Sequence, residues 1–259
     1  MRPTYALETY ASDQKAMKKV RDFASALQAS IELENKKVIL DLIEPDEDAK
    51  VLDIGCGSCD FTIQFARRVG TLDIHGIELV ASFIEQCVQK GVQMHRADVN
   101  EPIPLEAASF DVVVTNQLLE HLNNTDLFIT EIHRVLKPGG YAIISTPNLA
   151  SWHNVGSLLL GWQPFATSLS DEINVGNPFH TRYKMRAAGG KYPSHRRIAT
   201  YRGLRELVEY YGFGIETMIG VGWYPLPARF SRIASRLDPR HSAYLTVKAR
   251  KSHVARSVR

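Results

Sequence analysis

A run of small residues, Gly55-Cys56-Gly57-Ser58-Cys59, follows the apolar stretch Val51-Leu52-Asp53-Ile54 and precedes a helical pattern from Phe61 to Arg68. A chain that turns this sharply from strand to helix can bring its backbone against a ligand. Glycines at 55 and 57 put no side chain in the way, and N–H groups at a helix start hold polar groups. An acidic residue one strand later can accept ribose hydroxyls, and Glu78 stands there after Gly76-Ile77. These two features alone leave a nicotinamide-dependent enzyme open, because dinucleotide folds use the same arrangement.

Three later phrases narrow the choice. Arg96-Ala97-Asp98-Val99 places a second carboxylate after a third strand. Phe110-Asp111-Val112-Val113-Val114-Thr115-Asn116-Gln117-Leu118-Leu119-Glu120-His121 gives a fourth strand and its exit, and Arg134-Val135-Leu136-Lys137-Pro138-Gly139-Gly140 gives a helix end and turn. In this order the phrases resemble the class I S-adenosylmethionine (SAM)-dependent methyltransferases, in particular the UbiE-like or methyltransferase-11 group. The resemblance covers residues 48–146 well and continues weakly over 200–250. It implies SAM as cofactor and S-adenosylhomocysteine as product. It also implies that Asp53, Gly55, Cys56 and Gly57 cradle the methionine portion, and that Glu78, with Leu79 beside it, binds the ribose. Asp98 would approach the adenine amino group with Val99 flanking the base, and Asn116 and Gln117 would border the cofactor from the fourth strand. The sequence departs from the family at Cys59, where glycine is frequent.

An acceptor hydroxyl must lose a proton, and neutral imidazole accepts one near physiological pH. His121, just beyond the fourth strand, is the first candidate base; His180 and His195 could reach inward from the segment that follows. Each has an ordinary alternative as a solvated or helix-start histidine. A noncatalytic SAM-binding interaction protein is the different-class reading, since ligand-binding phrases can survive without an acceptor pocket. No compact Asp/His cluster in the insertion marks a metal site, and none is expected. The cysteines, Cys56, Cys59 and Cys87, are too few to suggest a disulfide framework, and the Cys56/Cys59 pair lies in a loop with another explanation.

These residues need a scaffold that places strand ends side by side. Strands are expected near 50–54, 72–77, 92–96, 110–115, 141–145, 215–219 and 243–249, with helices at 61–68, 81–90, 126–135, 201–211 and 228–236. Alternation of this kind favours a parallel sheet covered on both faces. The fold class is α/β: a doubly wound, seven-stranded, mostly parallel Rossmann-like sheet whose final hairpin is antiparallel, as the resemblance implies. The expected organisation is an N-terminal helical cap over 1–47, a SAM-binding core over 48–146, an inserted lid or acceptor region over 147–199, and completion of the core with a basic tail over 200–259. Prolines, glycines and the aromatics Trp152, Trp162, Phe165, Tyr183 and Tyr192 in the insertion could enclose an acceptor or form a small core of their own.

Net charge is +3, but residues beyond 181 carry 17 basic and 4 acidic side chains. That surplus suits an acceptor with an acidic group or phosphate. The expected acceptor is a small molecule or glycan, methylated at a hydroxyl. RNA or protein methylation is the alternative, although no nucleic-acid recognition motif accompanies the charge. With no signal peptide or membrane span in the sequence, a cytoplasmic protein is expected.

Overall fold

The computed structural model describes residues 4–179 and 194–252. Seven strands form one sheet: β1 (Val51–Ile54), β2 (Ile74–Glu78), β3 (Gln93–Arg96), β4 (Phe110–Asn116), β5 (Leu136–Pro147), β6 (Phe213–Val221) and β7 (Tyr244–Lys251). Their order is β3-β2-β1-β4-β5-β7-β6. β7 is antiparallel to both β5 and β6, while the other neighbours are parallel. The strand order reverses direction between β1 and β4, and the crevice beyond the strand C-termini at such a point is where open α/β sheets bind ligands.

Alternation along the strands sorts side chains onto two covered faces. Val51, Val112, Val114 and Ile143 pack with Phe65 and Val69 of α2 (Asp60–Val69) and with Ile39 of α1 (Thr4–Asp41). Leu52, Ile54, Val113 and Ile144 point the other way, onto Phe128, Ile129 and Ile132 of α4 (Thr125–Val135) and Leu204 and Val208 of α6 (Tyr201–Tyr210). Each large apolar side chain buried this way contributes about 1.5–3 kcal/mol. The remaining helices are α3 (Ala81–Gln89), α5 (Trp152–Leu159) and α7 (Ala228–Leu237).

The segment before Pro45, where the spacing allows one helix or two, is a single helix pinned from its C-terminal half. There Asn35 Nδ2 donates to Asn116 Oδ1 at 3.0 Å and to Ser145 Oγ at 2.9 Å, while Thr246 Oγ1 donates to Asn35 Oδ1 at 2.8 Å. Lys137-Pro138-Gly139-Gly140 lies inside β5 as an irregularity in its register with β4. Gly140 is needed there, because a Cβ would fall 2.8 Å from Asp111 O. Cys59 and Cys87, unpaired in the sequence reading, form a disulfide between the N-terminus of α2 and α3. Spacing of 28 residues could not reveal that the parallel β1-α2-β2-α3 path returns the two side chains to one place.

Candidate active site

The loop after β1 carries its expected shape. Gly55 and Gly57 have φ of +77° and +52°, and Cys59 caps α2 in the left-handed region at φ 61°. That backbone explains why glycine suits position 59, and here the disulfide holds a cysteine in it. A Cβ at Gly57 would meet nothing within 4 Å, so the loop leaves open space on that side. Lys90 Nζ reaches across from the end of α3 to Ser58 O at 2.5 Å and Asp60 Oδ1 at 2.6 Å, clamping the entrance of α2.

Asp53 is buried, and its Oδ2 accepts a 2.6 Å hydrogen bond from Thr62 Oγ1. Burial pushes its carboxyl up to about 7, against the pull of the Thr62 hydroxyl and with the repulsion of Glu78 added. Cys56 is also buried, its thiol directed at Ile77 O, and burial raises its pKa well above the usual thiol range. Glu78 sits at the end of β2 and is half-buried. Its Oε2 accepts from Gly57 N–H at 3.0 Å, and its Oε1 accepts from Leu79 N–H at 2.8 Å and Val80 N–H at 3.0 Å. Leu79 beside it is 51% exposed. Asp98 is exposed after β3 and accepts from the backbone and side chain of Asn100, whereas Val99 is buried in the core. Asn116 accepts from Asn35, and Gln117, at φ 56°, donates its backbone N–H to Ser145 O at 2.8 Å.

His121 ends a 3₁₀ turn, Leu119–His121, immediately beyond β4. His195 comes to it from the insertion, the two rings 4.9 Å apart at 62°. His180, Tyr183 and Tyr192 lie outside the described residues. Close to both His121 and His195 stands Glu120, which the sequence does not single out. Its side chain is 1% exposed, its Oε1 lies 3.9 Å from His121 Nε2, and its Oε2 accepts from Thr146 Oγ1 at 3.0 Å. Burial pushes its carboxyl up to about 7. The signal available in the sequence was its place beside His121 at a strand exit. Nothing there announced a buried carboxylate, because burial depends on β5 and on residues 194–197 folding over it. Arg196 and Arg197 N–H groups donate to Glu120 O at 2.6 and 3.2 Å and hold that later segment in place.

The insertion contributes aromatics at this end of the sheet. His153, on α5, packs edge-on against Tyr224 at 4.7 Å and near Phe165 at 5.7 Å. Burial lowers its pKa to about 4, so the ring is neutral. Trp152 stacks on His241, and Trp162 meets Phe179 edge-on.

Residues 45–180, more than half of the chain, match the methyltransferase-domain family. The chain belongs to that family. A curated relative in Mycolicibacterium smegmatis, named "Probable S-adenosylmethionine-dependent methyltransferase", is 33% identical over 174 residues, covering 66% of this chain and 54% of that protein. The mitochondrial ubiquinone biosynthesis O-methyltransferase of Rattus norvegicus is 32% identical over 114 residues, 40% of this chain and 32% of that one. The chain therefore spans about half or less of the length of these relatives. Among solved structures, an S-adenosylmethionine-dependent methyltransferase from Mesorhizobium loti superposes with a TM-score of 0.57 at 18% identity, covering 87% of this chain and 100% of that one. One from Methanosarcina mazei gives 0.54 at 18% identity, covering 83% and 97%. At such identities the likeness shows the fold, which is the class I SAM-dependent methyltransferase fold that the sequence resemblance implied.

SAM is the cofactor of this methyltransferase family, and the residues present fit it. The space beside Gly57 admits a ligand against the backbone. The exposed apolar Leu79 stands next to the strand-end carboxylate of Glu78, giving one apolar and one anionic wall where a nucleoside has a flat face and hydroxyls. Among the described residues no helix is long and apolar enough to cross a membrane.

Proposed function

We propose that this chain transfers the methyl group of SAM to a hydroxyl of a small-molecule or glycan acceptor seated beyond the C-terminal ends of β4 and β5. The observation that carries this reading is the convergence of Glu120, His121 and His195 at the exit of β4. Leu118, two residues earlier, packs over Gly55 of the cofactor loop, so this polar cluster adjoins the cradle. SAM supplies an electrophilic methyl on a positively charged sulfur; the chain has to bind it, exclude water and present a nucleophile in line.

Gly55 and Gly57 take the methionine portion against the backbone, and Glu78 takes the ribose. A carboxylate has about four acceptor positions. Glu78 uses three on Gly57, Leu79 and Val80 N–H groups, so one ribose hydroxyl adds directly and a second replaces the Gly57 contact. Asp98 takes the adenine amino group. The acceptor's proton leaves toward Glu120, His121 and His195, and residues 147–199 shape the acceptor's access. Two O-methyltransferase relatives, the rat protein and the malonyl-[acyl-carrier protein] O-methyltransferase of Erwinia billingiae, favour oxygen as the nucleophile.

The basic surplus of the last third is partly spent inside the molecule. Lys248 and Arg250 both pair with Glu44 and Glu216, bridging β6, β7 and the end of α1. This removes two cations from any outward-facing basic surface and weakens the RNA reading. The test is S-adenosylhomocysteine release together with the intact mass of products from pooled hydroxyl, amine and carboxyl acceptors. Hydroxyl products are expected. Methylation confined to amines, or SAM binding with no product from any pool, overturns the reading.

A further inference from the structure

Glu120, His121 and His195 each offer one ligand atom, and these atoms all lie within 4.8 Å of one another. The three come from two places only: consecutive residues of the turn after β4, and the segment that re-enters after the insertion. The backbone bonds from Arg196 and Arg197 to Glu120 O lock those two places together, and Arg197 Nε adds a bond to Asn123 O at 2.9 Å. The cluster is therefore built by the fold rather than assembled by mobile side chains.

The outer nitrogens of both rings face backbone carbonyls. His195 Nδ1 lies 2.7 Å from Ala166 O, and His121 Nδ1 lies 3.4 Å from Ser194 O. A carbonyl only accepts, so each contact favours the tautomer with its proton on Nδ1. With the proton on Nδ1, Nε2 is the ring atom that can coordinate, and His121 Nε2 lies 3.9 Å from Glu120 Oε1. Metal-ligating histidines are oriented in this way, by a hydrogen bond from the other ring nitrogen. Glu120 supplies the complementary feature, a carboxyl group almost fully removed from water that accepts from the Thr146 hydroxyl. A buried carboxylate is costly until a cation or proton neutralises it.

We propose that these three residues bind a divalent transition-metal ion of the zinc, cobalt or nickel class through Glu120 Oε1, His121 Nε2 and His195 Nε2. Two imidazoles and one carboxylate are a borderline-soft donor set, suited to these ions rather than to magnesium or calcium. Ligand atoms about 2.0–2.2 Å from a tetrahedral ion stand roughly 3.3–3.6 Å apart. The 3.9 Å between Glu120 Oε1 and His121 Nε2 closes to that by small side-chain rotations with the backbone unchanged. Three protein ligands leave a position for an acceptor oxygen, and the cluster as a whole carries a single negative charge, so the bound site is cationic where an oxygen nucleophile has to shed its proton. The other cluster of potential ligands, Cys56, Cys59 and Cys87, has two of its sulfurs joined in the disulfide and offers no comparable set. The inference deepens the proposed function, since it rests on reading this end of the sheet as the acceptor side.

The experiment is a cobalt(II) titration of the full, untagged chain after chelator treatment, followed by visible absorption and by calorimetry, with no turnover required. One cobalt ion per chain is expected, with the intensified visible bands of a low-coordinate site. Glu120→Gln, His121→Gln and His195→Gln should each weaken binding by at least about tenfold, while His133→Gln, on the far side of α4, leaves it unchanged. Circular dichroism checks the fold of each variant. Should Glu120→Gln fail to fold, the two histidine variants decide alone. Absence of cobalt binding by the wild-type chain, or equal affinity in the folded histidine variants, overturns the proposal. Turnover on hydroxyl acceptors that persists in chelator would then leave the methyl-transfer reading standing; conversely, cobalt bound at the three residues with no hydroxyl product would sink that reading and spare the site.

Discussion

Leu118 closes over Gly55: a Cβ at position 55 would come within 2.9 Å of Leu118 Cδ2, and the backbone there has φ of +77°. The contact joins the loop after β1 to the loop after β4, so the cofactor cradle and the acceptor side share a wall. Gly55→Ala should therefore weaken SAM binding through two separable effects. Backbone strain in the left-handed region costs roughly 1–2 kcal/mol, and displacement of Leu118 adds to it. Adding Leu118→Ala to the Gly55→Ala chain should restore part of the calorimetric SAM affinity by making room. Equal affinity in wild type and Gly55→Ala would show that the loop does not need this backbone.

The Cys59–Cys87 disulfide spans 28 residues and ties α2 to α3 beside the cradle. Loop closure on this scale stabilises by on the order of 3 kcal/mol. The Cys59→Ala/Cys87→Ala variant should lose about that much in urea unfolding. Cys59→Gly/Cys87→Ala should lose about 1 kcal/mol less, because glycine takes the left-handed cap position without strain. Identical losses in the two variants would remove the backbone part of the argument, and no loss in either would remove the whole.

Asp53 has its folded pKa raised from 3.8 to about 7 by burial. The groups facing it are the Thr62 hydroxyl, which favours its ionised form, and Glu78, whose charge opposes it. Folding thus favours the protonated carboxyl. Its contribution to stability is complete below the unfolded pKa of 3.8 and is lost as pH rises through about 7. The slope in that window is at most about 1.4 kcal/mol per pH unit. Asp53→Asn keeps an oxygen for Thr62 and should flatten the stability profile between those limits. Parallel profiles for wild type and variant, from urea titrations across the window, would rule out Asp53 as the source.

Most of the scaffold was legible because the strands and helices differ in period and are separated by plain punctuation. Val51-Leu52-Asp53-Ile54 before Gly55, and Arg134-Val135-Leu136 before Pro138, mark their own boundaries to within a residue or two. What stayed hidden depends on contacts between distant segments. Glu120 reads as an ordinary polar residue until Thr146 and the Arg196–Arg197 backbone enclose it, and Cys87 reads as a lone apolar position on α3 until α2 is laid alongside. Likewise Asn35 sits in a polar stretch of α1, and only the folded sheet gives it Asn116, Ser145 and Thr246 as partners.

Glu78 and Asp98 look alike in the sequence, each an acidic residue at a strand end, but the structure separates what their loss should do. Glu78 accepts three backbone N–H groups and joins the Gly57 loop to the start of α3. Glu78→Gln gives up one acceptor oxygen for an amide that must face an N–H donor, so stability should fall by about 1–2 kcal/mol even without ligand. SAM affinity should fall as well, since the same oxygens meet the ribose. Asp98 is exposed, and its Oδ1 accepts from the backbone and side chain of Asn100. Asp98→Ala should leave urea stability within about 0.5 kcal/mol of wild type while weakening SAM by about 1–3 kcal/mol, the range for stranding a hydrogen-bonding group of the bound nucleoside. Unfolding curves and calorimetry on both variants separate the two roles. A large stability loss in Asp98→Ala would make that residue structural, and unchanged SAM affinity in a folded Asp98→Ala chain would take it out of the adenine site.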